Sequence, residues 1–208
     1  MRKIYLTAGH RGGTSGANYN GIKEAEETIW LRNEIADMLK HKGVEVEIDN
    51  DSASLSEVVQ FINVGCKPTD ICVDLHFNAV GNPTAHGTEI FKPFNANDTE
   101  MELAEDLLYS TCMILGTKNR GVKREGEGTH SRLAMLSDVM CNSVLLEVCF
   151  ISNREDANKY KEKRDKKIIE LLKKGLQAKE VAKLLDISDA TVSRVAHKNG
   201  IYLAPKRK

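Results

Sequence analysis

At 208 residues and 41% hydrophobic, the chain fits one medium domain plus something small, with enough apolar residues for a real core. No run approaches ~18 uncharged apolar residues, so no membrane-crossing helix and no membrane insertion is expected, and no long apolar segment with a small-residue cleavage site follows Met1, so no signal peptide is expected. The formal net charge is zero, yet residues 161–208 hold 14 Lys/Arg against 6 Asp/Glu and residues 1–160 hold 16 against 24; an acidic body with a basic tail predicts two modules with different partners.

Residues 3–8 alternate as a short strand ending in Thr7-Ala8-Gly9-His10, and a Gly-rich loop, Gly12 to Gly16, follows. From Glu24 to Lys42, the residues Ile29, Leu31, Ile35, Met38 and Leu39 recur near a 3.6 period. That spacing predicts a helix closed by Gly43. Val44 to Ile48 alternates as a strand with one wet face. Ser54 is placed to cap a helix carrying Leu55, Val58, Val59 and Ile62. Asp70 to His76 reads as a strand, Gly87 to Phe91 as a short one, and Thr99 opens a helix to about Leu115. Arg132 to Leu136 and Val144 to Phe150 complete the predicted strands. Strands separated by 10–18-residue helices imply an α/β fold, a mostly parallel twisted sheet flanked by helices. In such sheets functional groups gather at the carboxyl ends of strands. The five cysteines are odd in number and form no close pair, which reads as reduced thiols.

One feature stands out late in the chain. Glu147 interrupts the apolar run Val144 to Ile151. An unpaired buried carboxylate costs several kcal/mol, so it protonates, pairs or sits beside a cation. His10, Glu24 and His76 are side chains of metal-ligand type. Two His and one carboxylate suit Zn²⁺ with a fourth position open to water, leaving Glu147 as a general base. Spacing alone does not decide this, because gaps of 14 and 52 residues match no short zinc signature. His10 and His76 also read as ordinary strand-end histidines. Glu24 also reads as a helix-start acid with Glu26 and Glu27 as rivals, and Glu147 as the partner of a surface Arg or Lys.

Six blocks in order carry a resemblance. They are Ile4 to Gly13 with Gly9-His10, Gly21 to Glu24, Asp74-Leu75-His76-Phe77-Asn78-Ala79, Gly87 to Phe91, Asn119 to Lys123, and Leu145 to Asp156. Over residues 2–160 the chain resembles the zinc-dependent N-acetylmuramoyl-L-alanine amidases of the type-3 family, which includes many phage endolysins. The resemblance implies the zinc amidase fold, one Zn²⁺ per chain on His10, Glu24 and His76, and Glu147 as the catalytic glutamate. It also implies peptidoglycan as substrate, cut at the amide between N-acetylmuramic acid and L-alanine. Ala8 and Arg11 depart from the family's Pro and Gly, and Asp74 stands where the family has Ser. Asn78 and His130 are weaker substrate-binding candidates. His41, His86 and His197 read as surface residues, and Cys149 as core. An endolysin of this kind is expected to be made in the bacterial cytoplasm and to reach the wall after release.

The tail reads differently. Ile168 to Leu172, Ala178 to Leu185 and Asp189 to Val195 predict three helices, with Gly175 ending the first and Ser188 capping the third. This resembles the helix-turn-helix of resolvase-like and regulator proteins, with Asp186 where that family has Gly. Ser188, Thr191, Ser193, Arg194 and Lys198 are the side chains that could face DNA. The same basic module could hold an anionic wall polymer, mediate self-association or complete the catalytic domain, with Asp165 to Leu176 as the terminal helix that the resembled amidase family packs on its sheet. The predicted organisation is a catalytic domain over 1–162 and an all-α trihelical, helix-turn-helix-like module over 163–208. A second functional class is then a DNA-binding regulator with an amidase-like sensing body.

Overall fold

β1 (Ile4–Ala8) opens the chain, followed by β2 (Asn18–Tyr19), β3 (Ile22–Lys23), α1 (Glu24–His41), β4 (Val46–Ile48), α2 (Leu55–Gly65) and β5 (Ile71–Asn78). Then come β6 (Thr88–Lys92), α3 (Asp98–Leu115), β7 (Asn119–Arg124), α4 (Ala134–Ser137) and β8 (Asn142–Phe150). α5 (Arg154–Lys173), α6 (Ala178–Leu184) and α7 (Asp189–Lys198) end it. The computed structural model describes residues 2–10, 13–128, 131–185, 187–201 and 203. Two units separate between Ala157 and Asn158, within α5.

The first unit is built on a six-stranded sheet in the order β4-β1-β5-β8-β6-β7. All neighbours are parallel except β6 and β8. Tyr5 pairs with Cys72 in register. Both pack with Val58 and Ile62 of α2 and with Met135 of α4. The alternate residues Leu6, Val73, Leu75, Val144 and Leu146 are buried as well, and α1 and α3 pack against the sheet. Both faces are therefore covered, as a mostly parallel sheet requires.

Local sequence explains the helix starts. Ser54 and Glu57 form a capping box at α2, and Asn97 and Glu100 form another at α3. α1 ends at His41, and Gly43 takes the left-handed conformation beyond it. The predicted strand over Arg132 to Leu136 is corrected: Leu133 is extended, and Ala134–Ser137 forms the single turn α4. Five residues are too few to separate a period of 2 from one of 3.6, and Ala, Met and Leu favour helix. The buried Glu125 carboxylate holds the turn, accepting from Leu133 N–H and Ser137 Oγ at 2.5 Å each. Two features escaped the sequence reading. β7 is an edge strand rich in charge. β2 and β3 form a hairpin whose turn, Asn20-Gly21, has positive φ at both residues, the Asn-Gly signal of a tight hairpin.

The second unit holds most of α5 together with α6 and α7. Ile168, Leu171, Leu172, Val181, Ala182, Leu185, Val192, Val195 and Ala196 are buried. Gly175 has φ +92 after α5, and the Ser188 side chain caps α7 by accepting from Thr191 N–H. The three helices lie where the sequence predicts them, the first as the end of the longer α5. Asp186 lies outside the described residues.

Candidate metal centre

The site is assembled at the carboxyl end of the sheet. β1 runs into Gly9, whose N–H bonds Leu75 O at 2.8 Å and whose carbonyl accepts from Thr28 Oγ1 at 2.9 Å. Anchored on both sides, the chain turns at His10 with φ 56, a left-handed conformation that costs about 1–3 kcal/mol for a non-glycine residue. Glu24 begins α1 and is 3% exposed. Its Oε2 accepts from Ala17 N–H at 2.9 Å and its Oε1 from Phe77 N–H at 3.0 Å. His76 stands near the end of β5, its ring edge-to-face with His10 at 5.3 Å between centroids.

These three side chains converge. His10 Nε2 lies 3.4 Å from Glu24 Oε2, and His76 Nδ1 lies 3.3 Å from Glu24 Oε1. One donor atom from each lies within 4.8 Å of the others. Tetrahedral Zn²⁺ with ligands at ~2.0–2.2 Å keeps its donor atoms ~3.4 Å apart, so this donor set fits such an ion in type and spacing. Two glycines make the room. A Cβ at Gly9 would come within 2.5–2.7 Å of His76 ring atoms. A Cβ at Gly16, where φ is +60, would meet both Glu24 Oε2 and His10 Cγ at 2.8 Å.

Electrostatics point the same way. Burial pushes the Glu24 carboxyl up, but His76 and the two backbone N–H groups outweigh it and hold the pKa below its ordinary value. Desolvation opposes charge on His76, yet Asp74, Glu24 and Glu147 push its pKa well above the usual imidazole range. Carboxylates crowd one imidazole here, and such a site favours an added cation.

Glu147 lies beside His76 in register across β5 and β8. Its Oε2 is buried and has no hydrogen-bond partner among the described residues. Burial drives the Glu147 pKa up to about 7; His76 opposes the rise, and Glu24, Glu89 and Asp74 add to it. On its other side Glu147 pairs in register with Glu89. Glu89 is buried and accepts from Asn78 Nδ2 at 2.7 Å and from Arg120 Nε and Lys123 Nζ at 2.5 Å each. The row across the sheet is thus His76, Glu147, Glu89, then the two cations of β7.

The structure brings His10, Glu24 and His76 together and sets Glu147 in register beside His76. Asn78 is beside them, but its amide is engaged by Glu89. His130 lies outside the described residues, as does Arg11. His41, His86 and His197 are exposed, and Cys149 is fully buried. Glu89 and Asp74 were missed as site residues. Glu89 lies in the short strand β6 between Thr88 and Ile90, with no long apolar run to mark it, and Asp74 precedes His76 by two, on the same strand face. In the second unit, Ser188 and Thr191 serve the start of α7, while Ser193, Arg194 and Lys198 are exposed.

A mostly parallel α/β sheet with a cation-type donor trio beside a buried carboxylate defines a candidate hydrolytic centre. Residues 4–178 match the family model described as N-acetylmuramoyl-L-alanine amidase, and the chain belongs to that family. It is 30% identical over 160 residues to the uncharacterized protein YqiI of Bacillus subtilis strain 168, covering 76% of this chain and 74% of that one. It is 27% identical over 161 residues to the endolysin of Bacillus phage SPP1, covering 74% of this chain but 56% of the relative. Against the N-acetylmuramoyl-L-alanine amidase LytC of B. subtilis strain 168 the identity is 25% and the share of the relative 31%. The chain thus spans about half of the endolysin and under a third of LytC. Among solved structures, the catalytic domain of the CD27L endolysin targeting Clostridia difficile superposes with TM-score 0.63 at 23% identity, over 78% of this chain and 89% of that one. AmiC2 of Nostoc punctiforme superposes with TM-score 0.64 at 20% identity, over 95% and 96%. These two superpositions show the shared fold.

Proposed function

We propose that this protein is a zinc-dependent peptidoglycan hydrolase that cleaves the amide between N-acetylmuramic acid and L-alanine. The observation that carries the reading is the convergence of His10, Glu24 and His76, with Glu147 in register beside His76. His10, Glu24 and His76 would hold one Zn²⁺. When bound, zinc supplies Lewis acidity, which polarises the scissile carbonyl and makes water a stronger acid. Glu147 takes a proton from the attacking water as the new C–O bond forms. It returns that proton to the nitrogen as the C–N bond breaks, releasing a free amine on L-alanine. Glu24, fixed by two backbone N–H groups, holds the two histidines at a set distance from each other. Likeness to a phage endolysin supports a role in lysis, with the wall reached after release from the cytoplasm.

The second unit supports a separate reading. Its exposed α7 face carries Ser193, Arg194 and Lys198 on a basic module, which suits a polyanion. On the helix-turn-helix resemblance that polyanion would be duplex DNA, and an anionic wall polymer is the alternative.

The test for hydrolysis is mass spectrometry of products from defined muropeptides, with zinc measured on the same sample. Intact glycan plus a peptide with a free L-alanine amino terminus, lost on chelation and restored by zinc, is the expected result. Cleavage at any other bond, or full activity in chelator, would refute it.

A further inference from the structure

Outside the donor trio, Asp74 is the buried carboxylate most directly tied to it. Its Oδ2 lies 3.1 Å from His76 Nε2, and its Oδ1 accepts a 2.7 Å hydrogen bond from Thr7 Oγ1. Asp74 is 2% exposed and Thr7 1%. Thr7 and Asp74 are register partners across β1 and β5, so the neighbouring strand sets the plane of the carboxylate. The two nitrogens of His76 are therefore divided, Nε2 toward Asp74 and Nδ1 toward Glu24. The ring also lies against Gly9, where a Cβ would collide with it. A histidine that gives one nitrogen to a metal must place the remaining N–H. A carboxylate there fixes tautomer and ring orientation and strengthens the facing nitrogen as a ligand.

We propose that Asp74, steadied by Thr7, is a positioning residue that fixes the His76 ring so that Nδ1 is the nitrogen offered to the metal. The proposal rests on the zinc reading above. It goes beyond the ligand set, and it concerns a position where the resembled family has Ser. The carboxylate accepts from Nε2–H; no bond to substrate is involved.

The test compares the parent with Asp74→Ala, Asp74→Asn and Thr7→Val. Zinc affinity is measured by chelator competition, and the His76 ring is followed by ¹⁵N and ring-proton NMR with and without zinc. Asp74→Ala should bind zinc about 10- to 100-fold more weakly and lose a downfield, slowly exchanging Nε2–H signal. Asp74→Asn, which still accepts from Nε2–H, should keep that signal and lose less affinity. Thr7→Val should fall between Asn and the parent. Zinc affinity within twofold of the parent in Asp74→Ala would overturn the proposal, as would an unchanged ring proton. Should Asp74→Ala not fold, the other two variants carry the test. A parent that binds no zinc would sink the proposed function instead, and the ring proton of the metal-free protein would still report on Asp74.

Discussion

Two residues define the chemistry most sharply, Glu147 and Gly16. Glu147 has its Oε2 buried beside His76 with no hydrogen-bond partner among the described residues, which suits a group that exchanges a proton with a transient ligand. Glu147→Gln keeps the shape and removes the base. Its turnover of muropeptide should fall by about 10²- to 10⁴-fold, with zinc content unchanged in the same preparation. Parent-like turnover would rule out the assigned role. Gly16 tests the room around the donors. In Gly16→Ala the new methyl would meet Glu24 and His10 at 2.8 Å, on top of a strained φ. Gly13 has a left-handed φ too, and among the described residues nothing lies within 4 Å of a Cβ there, so Gly13→Ala is the control for backbone strain. Zinc binding should weaken in the first variant and hold in the second, and isothermal titration would show it. At this scale the sequence was informative where a polar group broke an apolar pattern, as at Glu147. It was silent on Glu89, because the cations that explain it, Arg120 and Lys123, are 31 and 34 residues away in the chain. Asp74 was likewise hidden. Its hydroxyl partner Thr7 is 67 residues distant and meets it only when β1 pairs with β5.

Between elements, α1 and the end of β1 are held together by charge. Arg32 is 1% exposed, and its Nη1 meets Asp49 Oδ1 at 2.9 Å. The same Asp49 oxygen accepts from Ala8 N–H at 3.2 Å, one residue before the Gly9-His10 turn. Thus Asp49 ties the helix that begins with Glu24, through Arg32, to Ala8 at the end of β1, two residues before His10. Arg32→Ala removes the buried cation that meets Asp49 and should cost about 3–5 kcal/mol, read from urea midpoints at constant slope. It should also lower zinc affinity, since both ligand-bearing elements share the lock. A second strand-end carboxylate, Asp70, predicts a pH effect. Burial pushes its pKa up, but the N–H groups of Lys3 and Lys67 more than offset this and leave it lowered. A folded value below the unfolded one stabilises the protein fully above the unfolded pKa, and the gain is lost as pH falls through the folded value. The stability gap between the parent and Asp70→Asn should therefore be constant above about pH 5 and close below about pH 4. A gap that widened in acid would reverse the sign. Element types were legible where periodicity ran long, as in α1, or where caps were present, as in α2 and α3. α4 was misread because five apolar-rich residues fit either period. β7 was missed because Arg120 and Lys123 serve Glu89, Arg124 pairs with Glu127, and the strand carries no alternation.

For the whole chain, the decisive property is the division of charge. The body to residue 160 carries eight more acids than bases, and the remainder eight more bases than acids. A uniform surface would suit one partner, whereas this division suits a body that acts on one substrate and a tail that holds another, anionic, one. On α7 the buried Val192, Val195 and Ala196 fix the inner face, which leaves Ser193, Arg194 and Lys198 outward. If those cations contact phosphates, duplex binding by the full chain must weaken steeply with salt, log K falling linearly with log salt at ~0.9 per phosphate neutralised. Arg194→Ala and Lys198→Ala should each weaken binding about equally across sequences and reduce that slope by about one. Fluorescence anisotropy on a short labelled duplex, titrated between 50 and 200 mM salt, gives both numbers. Absence of binding at 50 mM salt would remove DNA as the partner. Co-sedimentation with purified walls, abolished by the same two substitutions, would assign the basic face to an anionic wall polymer instead.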